Sequence, residues 1–284
     1  MNVDFTAILA VLSLVTGSIW GAFVLFKKLN NKSSGQETVT PVAKKSDTSK
    51  SKAGEKDKEK DKEKDKERTE PLLVEFSRFL FPVFMVVLIV RGFLVEPFQI
   101  PSGSMLSTLE AGDYILVNKF SYGLRSPLGY YKLIDLGSPE HGDVIVFRYP
   151  EDPQIDYIKR VVGVPGDKIV YKDKVIYLNG EPLKVTQLGR YAKDPRYMEL
   201  REELGDVSHS ILNVPDVNMA PPVEVIVPEG HYFVLGDNRD NSRDSRYWGF
   251  VPDENLKGRA FMIWMHKKED EWPSQWSRIG TIIE

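Results

Sequence analysis

VIVFRYPEDPQIDYIKRVVG, Val144 to Gly163, decides the fold. Its two ends, VIVFRY and YIKRVV, are β-branched and aromatic runs bounded by Pro, Gly and Asp, which is the composition of strands. The pattern repeats nearby in KIVYKD (Lys168 to Asp173) and HYFVLG (His231 to Gly236). In VIYLNGEPLKV, Val175 to Val185, Asn179-Gly180 stands between two apolar runs and predicts a tight type I′ hairpin. Pro165-Gly166 reads as a further turn. Short strands joined by tight turns predict a mainly β domain with antiparallel pairing. Residues 183 to 222 lose this rhythm and gain charge and proline, so they read as an insertion or subdomain with no assigned task.

Outside this region the chain changes character. It has 284 residues, 42% of them apolar, a net charge of −3 and no cysteine. That length holds one sizeable domain with additions, or two modest ones. The charge argues against nucleic acid as the main partner. Lack of cysteine excludes a disulfide framework, a thiol nucleophile and a cysteine-ligated metal.

Phe5 to Phe26 is a run of 22 residues without a charge. At 1.5 Å rise per residue it spans a hydrocarbon layer of about 30 Å. A cleaved signal peptide would begin with positive charge, whereas this run follows MNVD and is itself followed by lysines, which predicts a retained membrane helix. A second apolar run, Phe79 to Val95, is broken only by Arg91, which lies near one end and can snorkel to the interface. It predicts a second span, with a buried core helix as the alternative. Residues 27 to 78 carry fifteen Lys or Arg, and the four residues before the first run carry none. The positive-inside rule then places this loop in the cytoplasm and both termini outside. Its centre, EKDKEKDKEKDKER (Glu55 to Arg68), sets opposite charges at i+3 against like charges at i+4, so helix support cancels and a solvated tether is expected.

Two serines, Ser102 and Ser104, flank a glycine just after the second apolar run, in EPFQIPSGSMLSTL (Glu96 to Leu109). A serine hydroxyl attacks poorly until a neighbouring base takes its proton. None of the four histidines, His141, His209, His231 and His266, sits in a triad motif, and neither a G-x-S-x-G elbow nor an HExxH helix is present. Lysine is the other candidate base. Its ordinary pKa of about 10.4 leaves little free amine near neutrality, but burial lowers it. In DYIKRVVG, strand alternation sets Tyr157, Lys159 and Val161 on one face, so Lys159 is flanked by an aromatic and a β-branched side chain. A solvated strand face remains the alternative for this lysine. The polar stretch GDNRDNSRDSRYWG, Gly236 to Gly249, fails as a calcium loop, because Ser242 stands at the glycine position and Trp248 at the glutamate position. An Asp244–Arg246 pair, or Asp237 with an arginine, can stiffen a loop that presents Ser242 to a base. No metal or other cofactor is expected.

PSGSM, YIKRVVG and GDNRDNSRDSRYWGFVP, in this order behind two apolar spans, resemble the bacterial type I signal peptidases over roughly residues 72 to 182 and 223 to 284. Leu106-Ser107 departs from the commoner Met-Pro of that family. The resemblance implies Ser104 as nucleophile and Lys159 as general base, with Ser102 donating to the oxyanion. It implies that Ser242 hydrogen-bonds and orients Lys159, and that Asp244 and Arg246 support that loop. Ile100, Ile158 and Tyr157 are implied near the substrate.

The expected organisation is a first transmembrane helix over 1–30, a charged tether over 31–71, a second helix over 72–95 and an exported catalytic β-domain over 96–284. The expected setting is the inner membrane, crossed twice, with the β-domain on the extracytoplasmic side. Preprotein signal peptides and the lipid bilayer are the expected partners. Apolar residues around Phe93 to Ile100 are expected to dip into the outer leaflet, and Trp272 and Trp276 fit either that contact or ordinary core packing. A catalytically silent, membrane-tethered β-domain that binds exported partners is the rival reading, and it does not need Ser104 and Lys159 together.

Overall fold

A computed structural model describes residues 5–33, 71–126, 131–217, 220–267 and 276–284. Residues 34–70 of the expected tether lie outside them, as does Trp272. The described residues fall into two compact units, one up to Ile89 and one from Val90 onward.

The first unit is a pair of helices, α1 (Phe5–Ser33) and α2 (Leu72–Ile89). They meet through Trp20 and Phe81, whose ring centroids are 5.7 Å apart. Gly17 permits this approach, since a Cβ there would stand 2.7 Å from the Phe81 ring. Both apolar runs, Ala7–Asn30 and Leu72–Leu94, are long and apolar enough to cross a membrane, and little of either is buried within the protein. Leu14, Leu25, Phe76 and Phe79 are all exposed. A continuous apolar surface of this kind marks a lipid or protein contact.

The second unit begins with a π-helical turn, Val90–Leu94, and is otherwise mostly strands. In chain order these are β1 (Val95–Gln99), β2 (Asp113–Asn118), β3 (Leu124–Arg125), β4 (Lys132–Ile134), β5 (Val144–Tyr149), β6 (Asp152–Gly163), β7 (Lys168–Lys172) and β8 (Val175–Leu178). They continue as β9 (Glu181–Pro182), β10 (Lys184–Arg190), β11 (Met198–Leu204), β12 (Val207–Asn213), β13 (Val223–Ile226), β14 (His231–Leu235), β15 (Val251–Pro252) and β16 (Leu256–His266). The main sheet runs β1-β2-β16-β5-β6-β14-β15, and its pairings are antiparallel. The mainly β, antiparallel class expected from the sequence is therefore the class observed.

The opening stretch forms β5 and β6, paired with Ile145 opposite Lys159 and Val144 opposite Arg160. Burial on β6 does not follow simple alternation. Every residue from Ile158 to Gly163 is buried, because β6 lies inside the sheet with apolar layers on both faces. One layer gathers Ile100, Met105, Leu109, Ile115, Val144, Val146 and Ile158. Another gathers Ile145, Phe147, Val161, Val234 and Val251.

Leu178 pairs with Glu181 across Asn179-Gly180, and both turn residues have positive φ, as a type I′ hairpin requires. The 183–222 segment, read as an insertion or subdomain, contains strands that its composition did not announce. It forms an antiparallel sheet, β10-β11-β12, within the second unit. Its charge hid the strands: in METhionine-led β11, MELREEL, the burial alternates late, with Glu202 and Leu204 inward and Arg201 and Glu203 outward. Of the residues expected at the bilayer or in the core, Ile100 is buried and Trp276 is exposed.

Candidate active site

Ser104 sits in the connection between β1 and β2. Ile100 N–H donates to the Asp113 carbonyl at 2.8 Å, and Gly112 N–H donates to the Ile100 carbonyl at 2.9 Å, so the connection is closed at its base. Met105 and Leu109 are fully buried in the first apolar layer and pin the loop just beyond the serine. Ser104 itself is half-buried, and Ser102 is exposed.

Lys159 reaches this loop from β6. Its Nζ lies 2.9 Å from Ser104 Oγ and donates to the Ile158 carbonyl at 2.7 Å. Nζ also stands 5.3 Å from the centre of the Tyr157 ring. Only 4% of Lys159 is exposed. Burial drives its pKa down to about 8, against the opposing pull of the Asp244 and Asp237 carboxylates. A free amine at this position can take a proton from Ser104 near neutral pH. Ser102 Oγ is 3.5 Å from Ser104 Oγ, on the open side of the loop.

The expected bond from Ser242 to Lys159 is not formed. Ser242 Oγ is buried without a hydrogen-bond partner and packs instead against Gly236. Asp244 and Arg246 form a two-point ion pair, with Nε to Oδ1 and Nη2 to Oδ2 both at 2.8 Å, and both side chains are fully buried. Asp244 also accepts the Gly236 N–H at 3.0 Å, and Arg246 donates to the Arg239 carbonyl at 2.6 Å. The pair therefore ties both ends of the 236–246 loop together. The Arg246 guanidinium lies 4.9 Å from the Tyr171 ring. Ile100 and Ile158 share one apolar cluster, and Tyr157 stacks on Tyr149 with ring centroids 4.4 Å apart.

Several site residues were not singled out from the sequence. Asn238 clamps the serine loop: its N–H donates to the Ser104 carbonyl at 3.1 Å and its Nδ2 to the Gly103 carbonyl at 3.0 Å. Arg160, the neighbour of Lys159, makes a two-point pair with Asp237, both bonds at 2.9 Å, and Thr108 donates to the same carboxylate. Gly236 leaves the space in which the serine loop and Ser242 meet. A Cβ there would stand 2.6 Å from the Ser104 carbonyl oxygen. The available signal was the density of polar residues from Gly236 to Ser242, which have no reason to cluster unless they bind something close by.

The family model of the signal peptidases, peptidase S26, matches residues 73–265. A signal peptidase I from Pseudomonas fluorescens is 50% identical over 75% of this chain and 80% of its own. Another from Pseudomonas aeruginosa is 48% identical over the same shares. One from Haemophilus influenzae is 35% identical across 99% of this chain and 92% of its own. With the motif match and near full-length similarity in agreement, the chain belongs to the signal peptidase family, peptidase S26.

Proposed function

We propose that this protein is a membrane-anchored serine endopeptidase that removes signal peptides from exported preproteins, with Ser104 as nucleophile and Lys159 as general base. The observation that carries the reading is the 2.9 Å approach of Lys159 Nζ to Ser104 Oγ beneath a cover of apolar side chains. The unprotonated amine accepts the hydroxyl proton of Ser104 as Oγ attacks the scissile carbonyl. Negative charge builds on the carbonyl oxygen and is met by the Ser104 backbone N–H and the Ser102 hydroxyl. The Lys159 ammonium then protonates the departing amine, leaving an acyl-Ser104 ester. Water loses a proton to Lys159, attacks the ester and frees the serine. Asp244 and Arg246 hold the neighbouring loop, and Ser242 lines the wall of the site.

Substrate choice follows from the walls. The resemblance sets Ile100 and Ile158, which share one buried apolar cluster, near the scissile bond, and the expected substrates carry small residues there, as in the A-x-A sites that end signal peptides. Tyr157 borders the same space. The fifteen Lys and Arg between residues 27 and 78 favour a cytoplasmic loop, two membrane crossings and a catalytic unit on the extracytoplasmic side. Enzyme and substrate are then both held at one bilayer, which raises their effective concentration.

Purified full-length protein in detergent, given a preprotein, should release the mature chain, while Ser104→Ala and Lys159→Ala should not. Equal processing by all three would reject the dyad. No processing by the parent would favour a silent domain that binds exported partners.

A further inference from the structure

The inserted sheet β10-β11-β12 has no part in the chemistry above, yet it contacts residues 237–240, the stretch that clamps the serine loop. Glu202 on β11 makes a two-point ion pair with Arg239, through Oε1 at 2.8 Å and through Oε2. Each of these side chains is 2% exposed. His209 on β12 lies between two carboxylates, with Nε2 3.4 Å from Glu202 Oε2 and 4.0 Å from Asp237 Oδ1. Leu212 N–H donates to the Asp237 carbonyl at 2.9 Å, and just beyond β12 Val214 N–H donates to Asp240 at 2.7 Å. Lys174 bridges the same two partners, donating to Asp240 at 2.6 Å and to the Val214 carbonyl at 2.7 Å.

Asp237 to Asp240 is thus a ledge gripped from both sides. On one side it takes the bonds of β11 and β12. On the other, Asn238 holds the carbonyls of Gly103 and Ser104, and Asp237 holds Arg160, the neighbour of Lys159 on β6. Burial would raise the Glu202 pKa, but the charge and hydrogen bonds of Arg239, with the nearby His209 ring, outweigh it and hold it at about 2. Burial keeps His209 below the ordinary histidine value. A buried ion pair adds little stability over apolar packing of the same volume, so simple adhesion of the sheet does not require one. What a two-point Arg–carboxylate pair adds is direction.

We propose that the inserted sheet is a positioning element for the nucleophile, and that Glu202 and His209 are its positioning residues. They act through Arg239 and Asp237 on the ledge, and through Asn238 on Ser104. The inference rests on Ser104 being the nucleophile. It assigns a task within the established reaction to a segment that otherwise has none.

The test uses the full-length protein in detergent with a purified preprotein. Glu202→Gln keeps the shape but removes the charge and the second of the two bonds that hold Arg239. Its kcat should fall about tenfold with KM within about twofold, since coupling through such networks spans that range. In Glu202→Gln/Arg239→Gln, two neutral amides can pair again, and most of the lost kcat should return. Leu204→Ala removes buried apolar packing from the same strand and alters none of the charges or hydrogen bonds that reach the ledge. It should lower the melting temperature and spare kcat below it. Parent-like kcat in Glu202→Gln, an equal kcat loss in Leu204→Ala, or no recovery in the double variant would each overturn the proposal. If Glu202→Gln does not fold, His209→Gln carries the same expectations and the same reversals. Ser104→Ala that still cleaves would remove the nucleophile reading itself. An inactive Ser104→Ala beside a fully active Glu202→Gln would remove only the positioning role.

Discussion

Lys159 Nζ lies 2.9 Å from Ser104 Oγ, although 55 residues separate them along the chain. The contact arises because β6 carries the lysine through the middle of the main sheet, while Met105 and Leu109 root the serine loop in the apolar layer on one face. Burial that stabilises the sheet also strips water from the amine. Packing and chemistry are one arrangement here.

That arrangement has a stability cost with a defined pH window. Lys159 titrates at about 8 when folded and at the ordinary 10.5 when unfolded. Below pH 8 both states hold the proton, and the full penalty for burying the ammonium is present. It is relieved as pH rises from about 8 to about 10.5, where the unfolded chain still binds the proton and the folded one does not. Lys159→Met should therefore be more stable than the parent at pH 7 by about 3 kcal/mol, with the gap closing above pH 8. Denaturant unfolding at pH 7 and pH 10 measures it. A gap that widens with pH would contradict the assignment.

Ser102→Ala should lower kcat by about 10²–10³ and leave KM near the parent value, as expected when one donor to a developing oxyanion is lost. The hydroxyl meets charge that exists only in the transition state, so substrate binding is spared. A kinetic comparison on a preprotein decides it, and an unchanged kcat would remove Ser102 from the mechanism.

Gly236→Ala should abolish processing and lower stability by about 1–3 kcal/mol, the range for overpacking a filled site. Its new methyl would press on the Ser104 carbonyl at 2.6 Å and on Ser242 Cβ at 2.5 Å. Activity assays beside thermal unfolding test this. A fully active Gly236→Ala would show that the loop and ledge have room to spare.

Much of the fold was legible because it rests on local signals. The strands at 144–149, 152–163 and 231–235 contain β-branched and aromatic runs, and Asn179-Gly180 carries its own turn geometry. The Ser104–Lys159 pairing was legible only through three ordered motifs, since strand alternation alone favoured a solvated face for Lys159. The remainder depends on long-range partners. Glu202 in MELREEL looks like a solvated charge, and only Arg239, 37 residues away, explains its burial. Ser242 was expected on Lys159, but Gly236 draws the loop so close to the serine connection that its hydroxyl ends without a partner. Asn238 acts through its backbone N–H and its amide on two main-chain carbonyls, and the polar density of Gly236 to Ser242 marks the stretch without singling out this residue.

Burial lowers the Lys159 amine to a pKa of about 8 and holds it against the Ser104 hydroxyl. The most direct test is an NMR titration of the Lys159 side chain in the folded, full-length protein in detergent, with its resonance assigned by difference against Lys159→Met. A midpoint near 8 that returns to the ordinary lysine value in denaturant is expected. A midpoint near 10.5 in the folded protein would contradict it.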